Sequence, residues 1–313
     1  MRLSLIAAAL LLAGNGAQAQ DSMIPPMPVL PPPAMQKPAA APATAPASAT
    51  ATTPAEAATT LASGLDRVLA GDWRSDVNKA RDVYRHPRET LSFLGVQPNQ
   101  TVIEIWPGAG WYAEVLAPLL GDAGNYTGVI VDPARESDAD GTRYAENGNS
   151  KLRALFEKRP DVFGKARLLE AGSAAPVLGE ANSADVVLTF RNAHNWVMDG
   201  HEVAMFRAMF DVLKPGGTLG VVDHRARPDQ PAAEMKNSGY LPEAFVISLA
   251  ESAGFKLVAK SEVNANPRDT KDYPDGVWTL PPRLAKGDVD RAKYLAIGES
   301  DRMTLRFVKP AKP

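Results

Sequence analysis

Residues 101–112, Thr-Val-Ile-Glu-Ile-Trp-Pro-Gly-Ala-Gly-Trp-Tyr, constrain the fold more than any other part of the chain. Thr101 to Ile105 is an apolar run carrying one acid, which predicts a buried strand; Gly108 and Gly110 allow the sharp turn that follows. Tyr112, Val115, Leu116 and Leu119 then recur at helical spacing, so one face of the next helix can lie on a sheet. Strand, glycine turn and helix in that order present a nucleotide at the carboxyl end of a parallel strand, with the helix amino end facing it. A dinucleotide or an adenosyl compound fits such a site.

Only part of the 313 residues suits a folded domain. Residues 1–19 carry Arg2, an apolar stretch from Leu3 to Ala13 and Ala17-Gln18-Ala19, the pattern of a cleaved export signal, and predict a periplasmic or secreted protein. The apolar stretch is shorter than the ~20 residues that cross a bilayer, so no membrane span is expected in the mature chain. Residues 20–60 are rich in Pro, Ala and Thr with little charge, which predicts a disordered spacer. The folded domain is expected over residues 61–313. The absence of cysteine excludes disulfides, thiolate nucleophiles and cysteine-held zinc, and no metal site is expected. A net charge of -2 with no basic aromatic-flanked cluster excludes a nucleic-acid interface.

Along the domain, helices are predicted over residues 62–94. Strands follow at 101–105, 126–131, 166–169, 184–190, 218–222 and 255–263, and the alternating Met303, Leu305 and Phe307 mark a last one. Helices are expected at 150–158, after an Asp199/Glu202 capping box, and at 242–253 up to Gly254. Lys214-Pro215-Gly216-Gly217 reads as a helix stop. The alternation predicts an α/β fold, a Rossmann-like three-layer sandwich with a mostly parallel sheet. Residues 264–300 form a long connection that serves either as a lid or as a surface arm.

The ordered set of Glu104-x-x-x-Gly108-x-Gly110, an acid at Asp132, a polar outlet at Arg191 to Trp196, Leu213-Lys-Pro-Gly-Gly217 and Ala253-Gly-Phe255 resembles the class I S-adenosylmethionine-dependent methyltransferase family. Within it, Glu104 to Tyr112 and Asp223-His224-Arg225-Ala226 look like a group of exported bacterial proteins. The resemblance implies seven strands, the last antiparallel and placed between the fifth and sixth. It implies S-adenosylmethionine as cofactor, with Glu104, Gly108 and Gly110 along its methionine part, Asp132 on the ribose and Ser173 near the adenine. His194, Asn195, Asp223 and His224 then open towards a small or envelope-associated acceptor, Asn195 bordering the donor. Trp106 replaces the first glycine usual in that loop, and its indole reaches either the donor pocket or the core.

The chemistry implied is methyl transfer with His194 or His224 as general base, a role suited to imidazole. The outlet at His224 also allows a structural network of Asp223 and Arg225. Trp106, Trp111 and Tyr112 either pack or stack on a ligand, His86 belongs to a helix start or a flap over the donor, and His201 is expected to face solvent. Two other functions fit the residues: a non-catalytic binding module on this fold, and a nicotinamide-dependent oxidoreductase, since Gly108-Ala-Gly-Trp-Tyr-Ala113 also matches a dinucleotide loop.

Overall fold

The computed structural model describes residues 54–121, 123–135 and 139–311. The expected export signal and most of the expected spacer lie outside these residues. Helix α1 runs Pro54–Leu69, so residues 54–60, which the composition assigns to the spacer, are helical. Its alanines favour helix, and Glu56 suits the first turn.

Seven strands form one sheet: β1 Thr101–Ile105, β2 Asn125–Val131, β3 Arg167–Ala171, β4 Ala184–Phe190, β5 Leu213–His224, β6 Lys256–Ser261 and β7 Arg302–Val308. Their order is β3-β2-β1-β4-β5-β7-β6. The first five are parallel, and β7 runs antiparallel to both β5 and β6. This is the Rossmann-like α/β sheet expected, with the last strand inserted where the resemblance places it. The strand order reverses between β1 and β4, and a crevice at such a switch point is where α/β sheets bind ligands.

Beyond α1, the helices are α2 Asp76–Lys79, α3 Asp82–Arg85, α4 Pro87–Phe93, α5 Ala113–Leu120, α6 Ala139–Lys158 and α7 Pro160–Phe163. They are followed by α8 Ala193–Asp199, α9 Glu202–Val212, α10 Met235–Ser238, α11 Glu243–Ser252 and α12 Arg291–Ile297. One core holds Ile103, Ile105, Val187, Val221, Leu305 and residues of α8, α9 and α11. The other holds Val102, Val186, Leu188 and residues of α1 and α5. Alternate residues of β1 and β4 thus serve opposite cores, as the two-residue period of a strand requires. Every residue of α5 is buried, because the helix lies between the sheet and α1.

Three local expectations are corrected. The Asp199/Glu202 capping box does not form: Asp199 ends α8, Gly200 caps it in the left-handed region, and His201 precedes α9 without a side-chain cap bond. Lys214 to Gly217 is part of β5. Gly216 (φ +81°) kinks the strand there, and the ladder to Lys309 continues through Gly216 N–H (2.8 Å) and Gly217 C=O (2.9 Å). Helix α6 starts eleven residues before Ser150; Asn147, Gly148 and Asn149 weaken its local signal, while Asn149 Nδ2 donates to Val131 C=O (2.7 Å) and ties the helix to β2.

Candidate functional site

The glycine turn continues β1 directly, since Trp106 N–H donates to Val129 C=O (2.7 Å) and Gly110 N–H closes back on Pro107 C=O (3.0 Å). Trp106, Gly108 and Gly110 all have positive φ, at +50°, +59° and +92°. For Trp106 this conformation costs roughly 1–2 kcal/mol, and packing holds it there. Its indole meets Trp196 of α8 edge-on, with ring centroids 5.7 Å apart, and packs on the core beneath the β1 and β4 outlets. The indole therefore goes to the core and leaves the turn open. Its Nε1 is buried without an acceptor.

The two glycines differ in what surrounds them. A Cβ at Gly108 would meet nothing within 4 Å, whereas one at Gly110 would come to 2.7 Å from Leu152 Cδ1. Gly108 is thus an open cradle that a ligand backbone contact can use, and Gly110 is a packing requirement against α6. Gly110→Ala is expected to lose about 2 kcal/mol of stability from its conformation and the displaced leucine. Gly108→Ala is expected to lose only about 1 kcal/mol while weakening any ligand that enters the turn. Urea denaturation of both variants beside ligand titration separates the two roles; equal stability losses would show that the cradle is not open.

Glu104 is 2% exposed and accepts a hydrogen bond from Tyr126 Oη (2.7 Å). Burial pushes its carboxyl up to about 8, against the smaller opposing effects of Tyr126 and Arg85. Asp132 stands half-buried at the β2 outlet, and its Oδ1 accepts from Ala134 N–H (3.1 Å). Ser173 is buried beyond β3 and bonded to His201 Nδ1 (2.8 Å), so His201 is a half-buried partner and does not simply face solvent. Tyr112 and Trp111 take the packing role. Tyr112 stacks on Phe190 at 3.6 Å and donates to Arg85 C=O (3.2 Å), while Trp111 Nε1 donates to Asn78 C=O (3.0 Å). Asn195 lies half-buried in α8, between buried His194 and Trp196. His86 takes the helix-start role, in a left-handed turn between α3 and α4.

Across the switch point, His194 Nδ1 lies 2.8 Å from Asp223 Oδ1, and the same carboxylate accepts the backbone N–H of His194 (3.3 Å) and of His224 (2.7 Å). Asp223 is fully buried and His194 is 4% exposed. With Nδ1–H committed to the carboxylate, His194 Nε2 is left as a proton acceptor. The His224 ring is 4.9 Å from that of His194, and its Nδ1 is 2.5 Å from Ser300 Oγ. Burial, then His194, Arg191, Arg302 and Arg85, hold His224 well below the ordinary histidine range, so it is a neutral hydrogen-bonding group at pH 7. Arg225 joins a different network: it pairs with Asp301 and Glu262, and Asp223 serves the histidine instead.

The long connection after β6 lies over this outlet. Since β6 is parallel to β5, the connection leaves from the same sheet edge as the glycine turn. Val277 packs with Ala226 and Tyr240, the Trp278 ring is 6.2 Å from that of His194, and Tyr240 Oη donates to Asp269 (3.0 Å). Segment 276–279 therefore covers the histidine pair from above. Sequence reading missed a further group beside it, Arg81, Arg85, Arg302 and Glu299. The only local signal was the four-residue spacing of Arg81 and Arg85.

No protein-family model matches the chain, and no curated protein matches it. Among solved structures the chain is similar to the cyclase SpnF, at 16% identity over 81% of this chain and 93% of that one, with a TM-score of 0.55. It is also similar to a proposed sarcosine dimethylglycine methyltransferase from Galdieria sulphuraria, at 14% identity over 75% and 86% of the two chains, with a TM-score of 0.50. An S-adenosylmethionine-dependent methyltransferase from Aquifex aeolicus covers 74% of this chain and 93% of its own at 16% identity, with a TM-score of 0.49. The first two similarities show the fold. They are a cyclase and a proposed methyltransferase, so the chemistry rests on the site.

Proposed function

We propose that this chain transfers a methyl group from S-adenosylmethionine to a small acceptor, with His194 taking the acceptor's proton. The observation that carries the reading is the buried His194–Asp223 dyad placed across the β1/β4 switch point from the open cradle at Gly108. The residues present fit the cofactor. Gly108 leaves room for it, α5 has no side-chain cap at its amino end, and Asp132 offers a carboxylate at the neighbouring outlet. When bound, the cofactor supplies a methyl group whose C–S bond breaks as the acceptor's lone pair attacks.

The protein's own part is placement and proton removal. Placement of the reactants is worth ~7–11 kcal/mol, more than the 10²- to 10⁴-fold typical of a general base. Asp223 fixes the His194 ring and stabilises the imidazolium that forms at Nε2. His224, neutral and tied to Ser300, offers the acceptor a hydrogen bond without a charge. Trp278 and Val277 exclude water over the pair. The alternative in which Trp106 fills the donor pocket of a binding module has no support from its packing on Trp196.

The test is calorimetric titration of the full chain with S-adenosylhomocysteine, with NAD as control. Saturable binding of the first alone is expected. Asp132→Ala is expected to weaken it about 10- to 100-fold, the worth of charge-assisted hydrogen bonds. Asp132→Asn, which keeps an acceptor for Ala134 N–H, should fall between the two. Binding of NAD alone, or of neither by a folded chain, would remove methyl transfer from consideration.

A further inference from the structure

Four arginines gather at the carboxyl edge of β4 and β5 around a single acid. Arg81 Nε lies 2.6 Å and Arg85 Nε 3.2 Å from the Glu299 carboxylate, and Arg302 closes on the same group. Arg302 opens β7 directly opposite His224, and its Nη1 donates to Tyr84 C=O (3.2 Å). Arg191, the first residue after β4, is anchored by its N–H on Val222 C=O (2.7 Å), and no ion pair is formed by its guanidinium among the described residues. Four positive charges therefore face one negative charge in a largely buried place, whereas buried charges are ordinarily paired.

The donors are also incompletely used. Arg81 Nη2, Arg85 Nη2 and Arg302 Nε are all buried without an acceptor, and Arg85 and Arg302 are only 3% and 2% exposed. The field of the group reaches its neighbours. Burial, then Arg302, pushes the Arg191 guanidinium down to about 10, and Arg85 is lowered by burial and then by Arg191. Such an excess of buried positive charge with unpaired donors suits an anion. The planar forks of arginine match the paired oxygens of a carboxylate or phosphate.

We propose that Arg81, Arg85, Arg191 and Arg302 form an oxyanion-binding subsite beside the His194–Asp223 dyad, which holds a carboxylate or phosphate group of the acceptor. The acceptor assignment rests on the methyl-transfer reading; the anion site itself does not. Its place supports the assignment, because Arg191 and Arg302 belong to the β4, β5 and β7 side of the switch point, and Gly108 and Asp132 to the β1 and β2 side. A metal ion is the competing occupant, since ligand atoms of His194, Asp223 and His224 lie within 4.8 Å of one another. The surrounding guanidinium charges disfavour a divalent cation there and favour an anion.

The test uses the full chain at low, chloride-matched ionic strength, titrated with inorganic phosphate, with acetate and with Zn²⁺, each with and without saturating S-adenosylhomocysteine. Saturable binding of phosphate or acetate is expected, undiminished by S-adenosylhomocysteine and weakened about tenfold or more by Arg191→Gln, which removes a charged donor without breaking an ion pair. Preference between the two anions identifies the acceptor group. Arg191→Lys keeps the charge and should retain part of the affinity. The comparison with Arg191→Gln also removes the general stabilisation that phosphate gives any folded chain. Phosphate binding in a chain indifferent to S-adenosylhomocysteine keeps the anion site and removes only the methyl-transfer reading. Displacement of phosphate by S-adenosylhomocysteine would assign the arginines to the donor and overturn the acceptor subsite. Zn²⁺ binding without anion binding, or anion binding unchanged in Arg191→Gln, would overturn the site itself.

Discussion

Glu299→Gln is expected to cost about 3–5 kcal/mol of folding stability at pH 7, the usual loss when a buried charge group loses its counter-ion. Glu299 is 3% exposed and meets Arg81, Arg85 and Arg302 at once. Arg81→Gln should cost far less, about 1 kcal/mol, because the arginine side chain is one-fifth exposed and water can replace part of its contact. Burial by itself raises the Glu299 carboxyl, but Arg302, Arg85, Arg191 and Arg81 together outweigh burial and hold it well below the ordinary range. The folded carboxyl therefore loses its proton more readily than the unfolded one. Its contribution is complete by about pH 5, just above the unfolded value of ~4.3, and is lost progressively as pH falls from there towards the much lower folded value. Urea denaturation of both variants between pH 3 and 8 checks this. The gap between wild type and Glu299→Gln should narrow on the acid side, and equal losses for the two variants would sink the role of Glu299 as the shared counter-ion.

The elements that sequence reading found are those whose signal is local. The run Val186 to Phe190, apolar but for Thr189, or the alternation of Met303, Leu305 and Phe307 states its own burial, and the structure buries these residues. The glycine turn was legible because positive φ demands particular residues at particular places, with Trp106 as the one departure. Its rotamer was not legible: the choice between pocket and core depends on Trp196, ninety residues away. The arginine group was hidden for the same reason. Arg81 and Glu299 are 218 residues apart, and only the insertion of β7 beside β5 brings Glu299 and Arg302 to the site. Asp199 shows the opposite failure, since a local capping pattern was present and the helix before it used the residue first.

The same topology explains why the candidate site has two unlike halves. On the β1 and β2 side the groups are the Gly108 turn and the Asp132 carboxylate; on the β4, β5 and β7 side they are imidazoles and guanidiniums, whose carboxylates Asp223 and Glu299 are engaged by those same groups. A ligand spanning the switch point would meet an acidic, hydroxyl-accepting half and a basic, anion-accepting half. Under the proposed function, that polarity would orient the ligand. The connection over His194 need only exclude water.

Glu104→Gln is expected to raise stability at pH 8 and to leave it unchanged at pH 4. Burial lifts the wild-type carboxyl from about 4.5 to about 8 in the folded chain, so between those values the folded state holds a proton that the unfolded state has released. The contribution of Glu104 to wild-type stability must then fall as pH rises through that window, by an upper figure of roughly 5 kcal/mol at 1.36 kcal/mol per pH unit. Glutamine has no proton to lose, and its amide oxygen still accepts from Tyr126 Oη, so the variant's profile should lack this fall over the same range. Glu104→Leu separates charge from shape, because it removes the acceptor and leaves the buried Tyr126 hydroxyl unpaired, so its stability should lie about 1–3 kcal/mol below that of Glu104→Gln at every pH. Glu104 and Glu299 act in opposite directions. The first weakens the fold as pH rises above about 5 and the second weakens it as pH falls below about 5, so the joint contribution of these two carboxyls peaks near pH 5, while His224, held below its unfolded value of ~6.5, adds stability as pH rises to that value. A maximum near pH 8 in wild type, together with a Glu104→Gln profile parallel to it, would show that Glu104 is ionised in the folded chain and that Arg85 outweighs burial there.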